Sequence, residues 1–355
     1  MTAASALRAS PVVITRNSNP DRAAWDAYVR AHPQGSFFHL SGWGEAAKRA
    51  YGYEPHYLTA VRNGDLAGVL AMTEAGTPLL GSALVSTAFS VGGGPLADDH
   101  DVLTALLGEA AALGREKRAG YIECRSDFSA DGWREKTGVH ANFELPLVAD
   151  DATALAAIPR KRRAEIRKAI EAANQGVLSV RHDGEPELFY RLYAQSLHRL
   201  GTPVFPKRFL DALLSEFPCE TEISVVDHQG APVAALLSFH FRDVILPYYV
   251  GATEAARPTR AFDYLYWSAM RRAADKGLAC FNFGRSKINS GAYHYKKLWG
   301  AEPCSVTHRI KLINMAAMPN VTAHNPKFAL FANLWPRLPL SVANSLGPLL
   351  APNFP

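Results

Sequence analysis

Apolar positions in this chain follow two periods that take turns along its length. After Asp21, a residue suited to capping, Trp25, Tyr28 and Val29 recur at helical spacing. Ser41 is placed to cap a second short helix, Gly42 to Ala50. The period then falls to two. Tyr57–Arg62 and Leu66–Thr73 read as strands, and Asn63-Gly64-Asp65 between them is a hairpin signal. A strand at Leu84–Ser90, a helix over Val102–Arg118 and strands at Tyr121–Arg125 and Asn142–Pro146 follow; an early strand, Val12–Thr15, precedes them all.

A second series starts near Asp151. A helix is predicted over 151–174, closed by Gly176, and then a strand at Val177–His182. Helices over Glu185–Leu200 and Arg208–Phe217 come next. Strands Glu222–Asp227, Val233–Arg242 and Val244–Gly251 form a meander with a turn at His228-Gln229-Gly230. A long helix within Pro258–Lys276 and a strand at Ala279–Phe283 complete it. Each series runs helix, helix, hairpin, further strand, long helix, strand. The repeat is one of pattern, without visible identity.

These elements predict an α/β (α+β) chain of two tandem units, 1–150 and 151–313. Each has a mixed, mostly antiparallel sheet flanked by helices, the order of an acetyltransferase-like (GNAT) domain. The length of 355 residues fits two domains of roughly 150. Residues 314–355 are Pro-rich and apolar, with Pro336 and Pro339 breaking short helices. This tail packs on the body, or lies on a membrane face or a partner subunit. Its only charges are Lys327 and Arg337, few for a helix on a membrane surface.

Composition narrows the function. The chain is 48% apolar and 20% charged, with a formal net charge of +5 and a pI near 9.0. That excess is too small to mark a nucleic-acid binder, but it suits an anionic substrate such as a CoA, a nucleotide-sugar or the acceptor end of a tRNA. Cys124, Cys219, Cys280 and Cys304 contain no C-x-x-C, and free thiols fit a reducing cytoplasm. The N-terminus lacks a signal-peptide core, and no run of about 18 apolar residues occurs. The expected location is cytoplasmic. G-x-S-x-G, H-E-x-x-H and a Walker loop are missing, and the scattered histidines predict no metal site.

Candidate chemistry concentrates in residues 281–303, FNFGRSKINSGAYHYKKLWGAEP. A strand ends at Gly284, and ligands of α/β sheets gather beyond strand ends. Arg285, Lys287, Lys296 and Lys297 are placed to surround an anion, and Tyr293 and Tyr295 to stack or donate a hydrogen bond. The alternative is solvated lysines over core aromatics. Thr259, Arg260 and Asp263 open the long helix, whose free N–H groups suit a phosphate. The glycine-rich pyrophosphate loop of small acetyltransferases is absent there, and Asp263 is either a first-turn acid or a base. In the basic run 160–168, Arg160, Arg163 and Arg167 share a face with Ile170. Arg163 and Arg167 are candidate phosphate contacts, against a solvated face. Gly92-Gly93-Gly94-Pro95 reads as a tight turn, with a ligand cradle as the alternative.

The pattern FNFGRSK…GAYHYKKLWG resembles the FemAB/FemX family of peptidoglycan aminoacyltransferases. GSFFHLSGWGEAAKRAYGY, RKRRAEIRKAIEAANQGVLSV and AFDYLYWSAMRRAADKG agree with it, so the resemblance runs from about residue 25 to 313. Within the family the chain looks closest to FemAB-like proteins associated with the XrtA/PEP-CTERM exopolysaccharide system, whose tail is similar to NPK…LWPRLPLSVANSLGP. The resemblance implies two GNAT-like domains and an N-acyltransferase without a covalent enzyme intermediate. It also implies a transition-state role for the Lys of an aromatic–Lys pair, here Tyr295-Lys296. The implied donor is an acyl-CoA, an acyl carrier protein or an aminoacyl-tRNA, with no tightly bound cofactor. The implied acceptor is an amine on a small molecule or a glycan precursor of the cell envelope or exopolysaccharide, with the inner membrane as a peripheral location. Acyl-CoA- or carrier-protein-dependent transfer to an amino sugar or amino acid, and a non-catalytic export module, are the alternatives. The helical coiled-coil arm of some family members is lacking.

Overall fold

A computed structural model describes residues 10–77, 81–318 and 334–351. In chain order the elements are β1 (Val13–Asn17), α1 (Arg22–Ala31), α2 (Ser41–Tyr51), β2 (Pro55–Arg62), β3 (Asp65–Thr77), β4 (Gly81–Ser86), β5 (Leu96–Ala97), α3 (His100–Glu116), β6 (Tyr121–Cys124) and β7 (Arg134–Lys136). Then come β8 (His140–Pro146), α4 (Asp151–Ala157), α5 (Arg160–Asn174), β9 (Leu178–Arg181), α6 (Pro186–Arg199), α7 (Lys207–Glu216), β10 (Thr221–His228), β11 (Ala231–Phe241) and β12 (Val244–Ala252). The last are α8 (Ala261–Asp275), β13 (Cys280–Asn282), β14 (Ser286–Lys287), α9 (Gly291–Lys297), β15 (Pro303–Ser305), β16 (His308–Leu312) and α10 (Leu340–Leu350).

The chain folds into two units. The first holds residues 10–77, 81–137 and 307–318, the second 138–306 and 334–351. Unit 1 has the strand order β1-β2-β3-β4-β6-β16-β7, with β5 on β3. Its core is the inner face of α3, Val102, Leu106, Ala110 and Leu113, against Leu58, Leu70, Leu84 and Ile122. Asp99 caps α3 by accepting from the N–H groups of Asp101 and Val102. Asp21 likewise caps α1 through the N–H of Ala24. Ser41, read as a cap, is instead the first helical residue, and its hydroxyl accepts from Arg22.

Unit 2 has the order β9-β10-β11-β12-β13-β8-β14, with β15 also on β8. Ile166 and Ala169 of α5 and Leu265 and Ala269 of α8 pack with Leu236, Ile245 and Phe281 of the sheet. α6 packs on β12 and β11. Its approach is so close that a Cβ at Gly251 would lie 2.3 Å from the Tyr193 amide nitrogen. Both predicted hairpin turns have the left-handed backbone they need: φ is 56° and 92° at Asn63-Gly64, and 51° and 80° at Gln229-Gly230.

Three local expectations change. The helix predicted over 151–174 is two, because Pro159 has no N–H to donate and ends the first. The strand predicted to reach Ser90 stops at Ser86, where Thr87 turns to φ 47°. The boundary drawn at 150/151 does not follow the sheets. β8, before that boundary, pairs with β13 at Cys280↔Pro146 to Asn282↔Glu144 in unit 2. β16 pairs with β6 and β7 in unit 1. Of the predicted tail 314–355, residues 319–333 and 352–355 lie outside the described residues.

Candidate active site

Residues 291–297 form the helix α9. Ser290 starts it, its hydroxyl accepting from the Tyr293 N–H at 3.2 Å. Successive residues of a helix point about 100° apart, so the predicted Tyr295-Lys296 pair divides. Lys296 and Tyr295 enter different environments.

Lys296 is 8% exposed. Its Nζ donates to the carbonyl oxygens of Gly284 (2.8 Å) and Arg285 (3.2 Å) and lies 5.7 Å from the centre of the Phe143 ring. Burial pushes its pKa down to about 7. A lysine so placed is part ammonium and part amine at neutral pH. Gly284, at φ 71°, is where the chain turns out of β13 and presents its carbonyl to Nζ.

Tyr295 donates its hydroxyl to Asp263 Oδ1 at 3.1 Å, and Arg162 pairs with the same oxygen at 2.7 Å. The Arg162 guanidinium also covers the rings of Tyr295 (4.5 Å) and Trp299 (5.4 Å). Burial raises the carboxyl pKa of Asp263 against the pull of Arg162, and it raises the Tyr295 phenol well above its ordinary value. Asp263 is therefore a first-turn acid of α8 in a buried ion pair. Tyr295, bonded to that carboxylate, is a packing residue rather than a proton carrier at neutral pH.

The remaining candidates are dispersed. Arg285 is half-buried, and Lys287, also half-buried, sits in β14 opposite His140. Tyr293 stands edge-on to Phe143 at 5.2 Å, and exposed Lys297 lies 6.0 Å from the Tyr293 ring. Arg163 donates from Nε to the Ile158 carbonyl, and Arg167 is exposed. The inward arginine of α5 is Arg162, in line with buried Ile166 and Ala169 at helical spacing. The sequence carried that signal; matching the arginines to Ile170 instead selected the neighbouring face.

Lys296 stands beside a break in the sheet. β12 and β13 run parallel, and their register holds for only Val244↔Cys280 and Ile245↔Phe281. β12 continues to Ala252 on β11 alone of its two neighbours, and a bulge opposite Leu237–Ser238 leaves Tyr248 out of register. The ends of two parallel strands thus part, with Gly284 and the Lys296 ammonium at the end of one.

Unit 1 has its own parallel pair, β4 with β6, from Ala83↔Tyr121 to Val85↔Glu123. Counting four residues from the first paired residue gives Gly284 in unit 2 and Arg125 in unit 1. Arg125 is buried, donates its backbone N–H to the Ser86 hydroxyl oxygen at 2.9 Å and its guanidinium to the carbonyls of Thr87 and Ser90. The glycine run beside it is structural: a Cβ at Gly94 would meet the Ser126 hydroxyl at 2.1 Å. Among the described residues, no three His, Cys, Asp or Glu side chains group to hold a metal ion. A cavity of about 360 Å³ in unit 1, lined by Leu107, Gly108, Ala111, Trp133 and Lys311, includes none of the candidates.

Residues 160–297 match the family described as Acetyltransferase (GNAT) domain. A comparison of the sequence with curated proteins finds no match. Among solved structures, FemX is 15% identical, with 90% of this chain and all of that one aligned at a TM-score of 0.67. A tandem GNAT protein from the clavulanic acid biosynthesis pathway is 10% identical, covering 86% of this chain and 100% of its own at 0.55. The C-terminal domain of a putative lysylphosphatidylglycerol synthetase from Agrobacterium fabrum is 13% identical, covering 90% and 97% at 0.54. The chain accordingly has the fold of two tandem GNAT-like domains, each a mixed sheet flanked by helices.

Proposed function

We propose that the protein is an N-acyltransferase that moves an aminoacyl or acyl group to an amine, with unit 2 as the catalytic unit. The observation that carries this reading is Lys296, a buried lysine whose Nζ donates to two carbonyl oxygens at the end of a parted parallel strand pair. The GNAT match over 160–297 and the FemX-like fold support it.

In the reaction, the acceptor amine attacks the donor's carbonyl carbon. A C–N bond forms and negative charge builds on the carbonyl oxygen. The Lys296 ammonium stabilises that oxyanion in a site with little water, where such a donor acts most strongly. Collapse breaks the C–S or C–O bond of the donor, and the amine's proton leaves with the thiol or alcohol product. Proximity supplies the rest, so no Cys or Ser nucleophile is needed. Around Lys296, Arg285, Lys287, Tyr293 and Lys297 are the proposed substrate contacts. Tyr295, Asp263 and Arg162 fix α9 on α8.

The proposed donor is an aminoacyl-tRNA, an acyl-CoA or an acyl carrier protein, and the acceptor an amine of a cell-envelope or exopolysaccharide precursor. The GNAT family match favours the thioester donors as the second form of this reading. Turnover is measured with each donor for the native protein and for Lys296→Met, which keeps an unbranched side chain and removes the terminal amine. Loss of one oxyanion donor predicts a fall of about 10²–10³ in kcat. A folded Lys296→Met protein at full activity would refute the assignment. No turnover with any donor, alongside a stable complex with polysaccharide-export proteins, identifies a non-catalytic module instead.

A further inference from the structure

Seven large apolar side chains stand out as exposed among the described residues, and five of them are gathered in one part of unit 2: Leu200, Leu334, Val342, Leu346 and Leu349. Leu200 and Leu349 are each 71% exposed. Val342, Leu346 and Leu349 follow one another at i, i+4 and i+7, so they share an edge of α10. Ser341, Asn344 and Ser345 take the other exposed edge, while Ala343 and Gly347 face inward. Two contacts hold this piece on α6 and the loop after it. His198 Nε2 is 2.9 Å from the Leu338 carbonyl oxygen, and Gly347 lies so near Val204 that a Cβ would be 3.0 Å from its amide nitrogen. Leu200 sits in the chain between those two anchors.

The charge of these packed stretches is net positive. Residues 186–211 and 334–351 carry Arg191, Arg199, Lys207, Arg208 and Arg337 against Glu187 and Asp211, and Lys207 pairs with both acids. The tail read by itself had too little charge for a membrane-surface helix; the segments it packs against supply the rest. We propose that this face docks unit 2 on an anionic lipid bilayer, with the leucines inserted among the acyl chains and the cations at the headgroups. No helix among the described residues is long and apolar enough to cross a membrane. A second copy of the chain fits less well. α10 is about 16 Å long, and one edge of it is far short of the roughly 800 Å² per partner that a stable dimer buries.

The proposal is independent of the role of Lys296, and its test reads binding alone. The full chain is mixed with vesicles of neutral phosphatidylcholine, or of phosphatidylcholine with phosphatidylglycerol, and sedimented at low and at high salt. Binding to the anionic vesicles is expected, weakened several-fold by high salt. Leu346→Glu with Leu349→Glu should lower it at least tenfold, and Arg337→Gln about fivefold. Both leucines are exposed, so circular dichroism should show the double variant folded. Three results would overturn the proposal: no binding to anionic vesicles, binding unchanged in the folded double variant, or a concentration-dependent dimer that the double variant abolishes.

Discussion

A lysine that is 8% exposed and bonded to carbonyl oxygens is costly to keep. Its folded pKa of about 7 lies below the ordinary 10.5, so between those values the folded state binds fewer protons than the unfolded one. Lys296 therefore costs stability in full below about pH 7, and the cost fades as pH rises towards 10.5. The stability of Lys296→Met relative to the native protein should accordingly drop on going from pH 6.5 to pH 9.5, by a few kcal/mol. Melting temperatures of both proteins at the two values test this, and a constant difference would contradict the burial argument. Activity gives the opposite limb. If the ammonium is the working form, the ratio of native to Lys296→Met kcat should fall as pH rises through about 7. A ratio that rises instead would make Lys296 a base. At this scale the sequence singled out Lys296, but it could not show Tyr295 turning the other way. That required α9 to be a helix and Asp263 and Arg162 to lie beside it.

Elements were easier to read than sites, because period and turn chemistry are local. Asn63-Gly64 and Gln229-Gly230 mark two hairpins in the sequence and occupy the left-handed region in the structure. The close approach of α6 to β12 is different. Nothing near Gly251 in sequence announces it, yet the backbone of Leu192 and Tyr193 occupies the place of a side chain there. Gly251→Ala should cost about 3 kcal/mol, since backbone on a packed helix cannot step aside as a flexible side chain would. Urea unfolding measures it; a loss below about 0.5 kcal/mol would show that the helix yields.

Over the whole molecule, the two units share a strand order around a parallel pair but differ at its open end. Unit 2 has Gly284 with Lys296 on its carbonyl, and unit 1 has the buried Arg125 tied to Thr87 and Ser90. One acyl donor per chain is the expected stoichiometry, and calorimetry with the donor that supports turnover should return a value near one. Two equivalent sites would mean that Arg125 moves aside. The sequence by itself determined the two α/β series, the strand meanders and the glycine after β13, because amphipathic period and backbone freedom depend on near neighbours. It also marked the lysine. The tertiary structure alone decided which sheet β8 and β16 complete, which arginine of α5 faces inward and which side chain stands at the end of each parallel pair. Each of those depends on partners far apart in the chain, and the free energy of pairing and burial is set only when both sides are present.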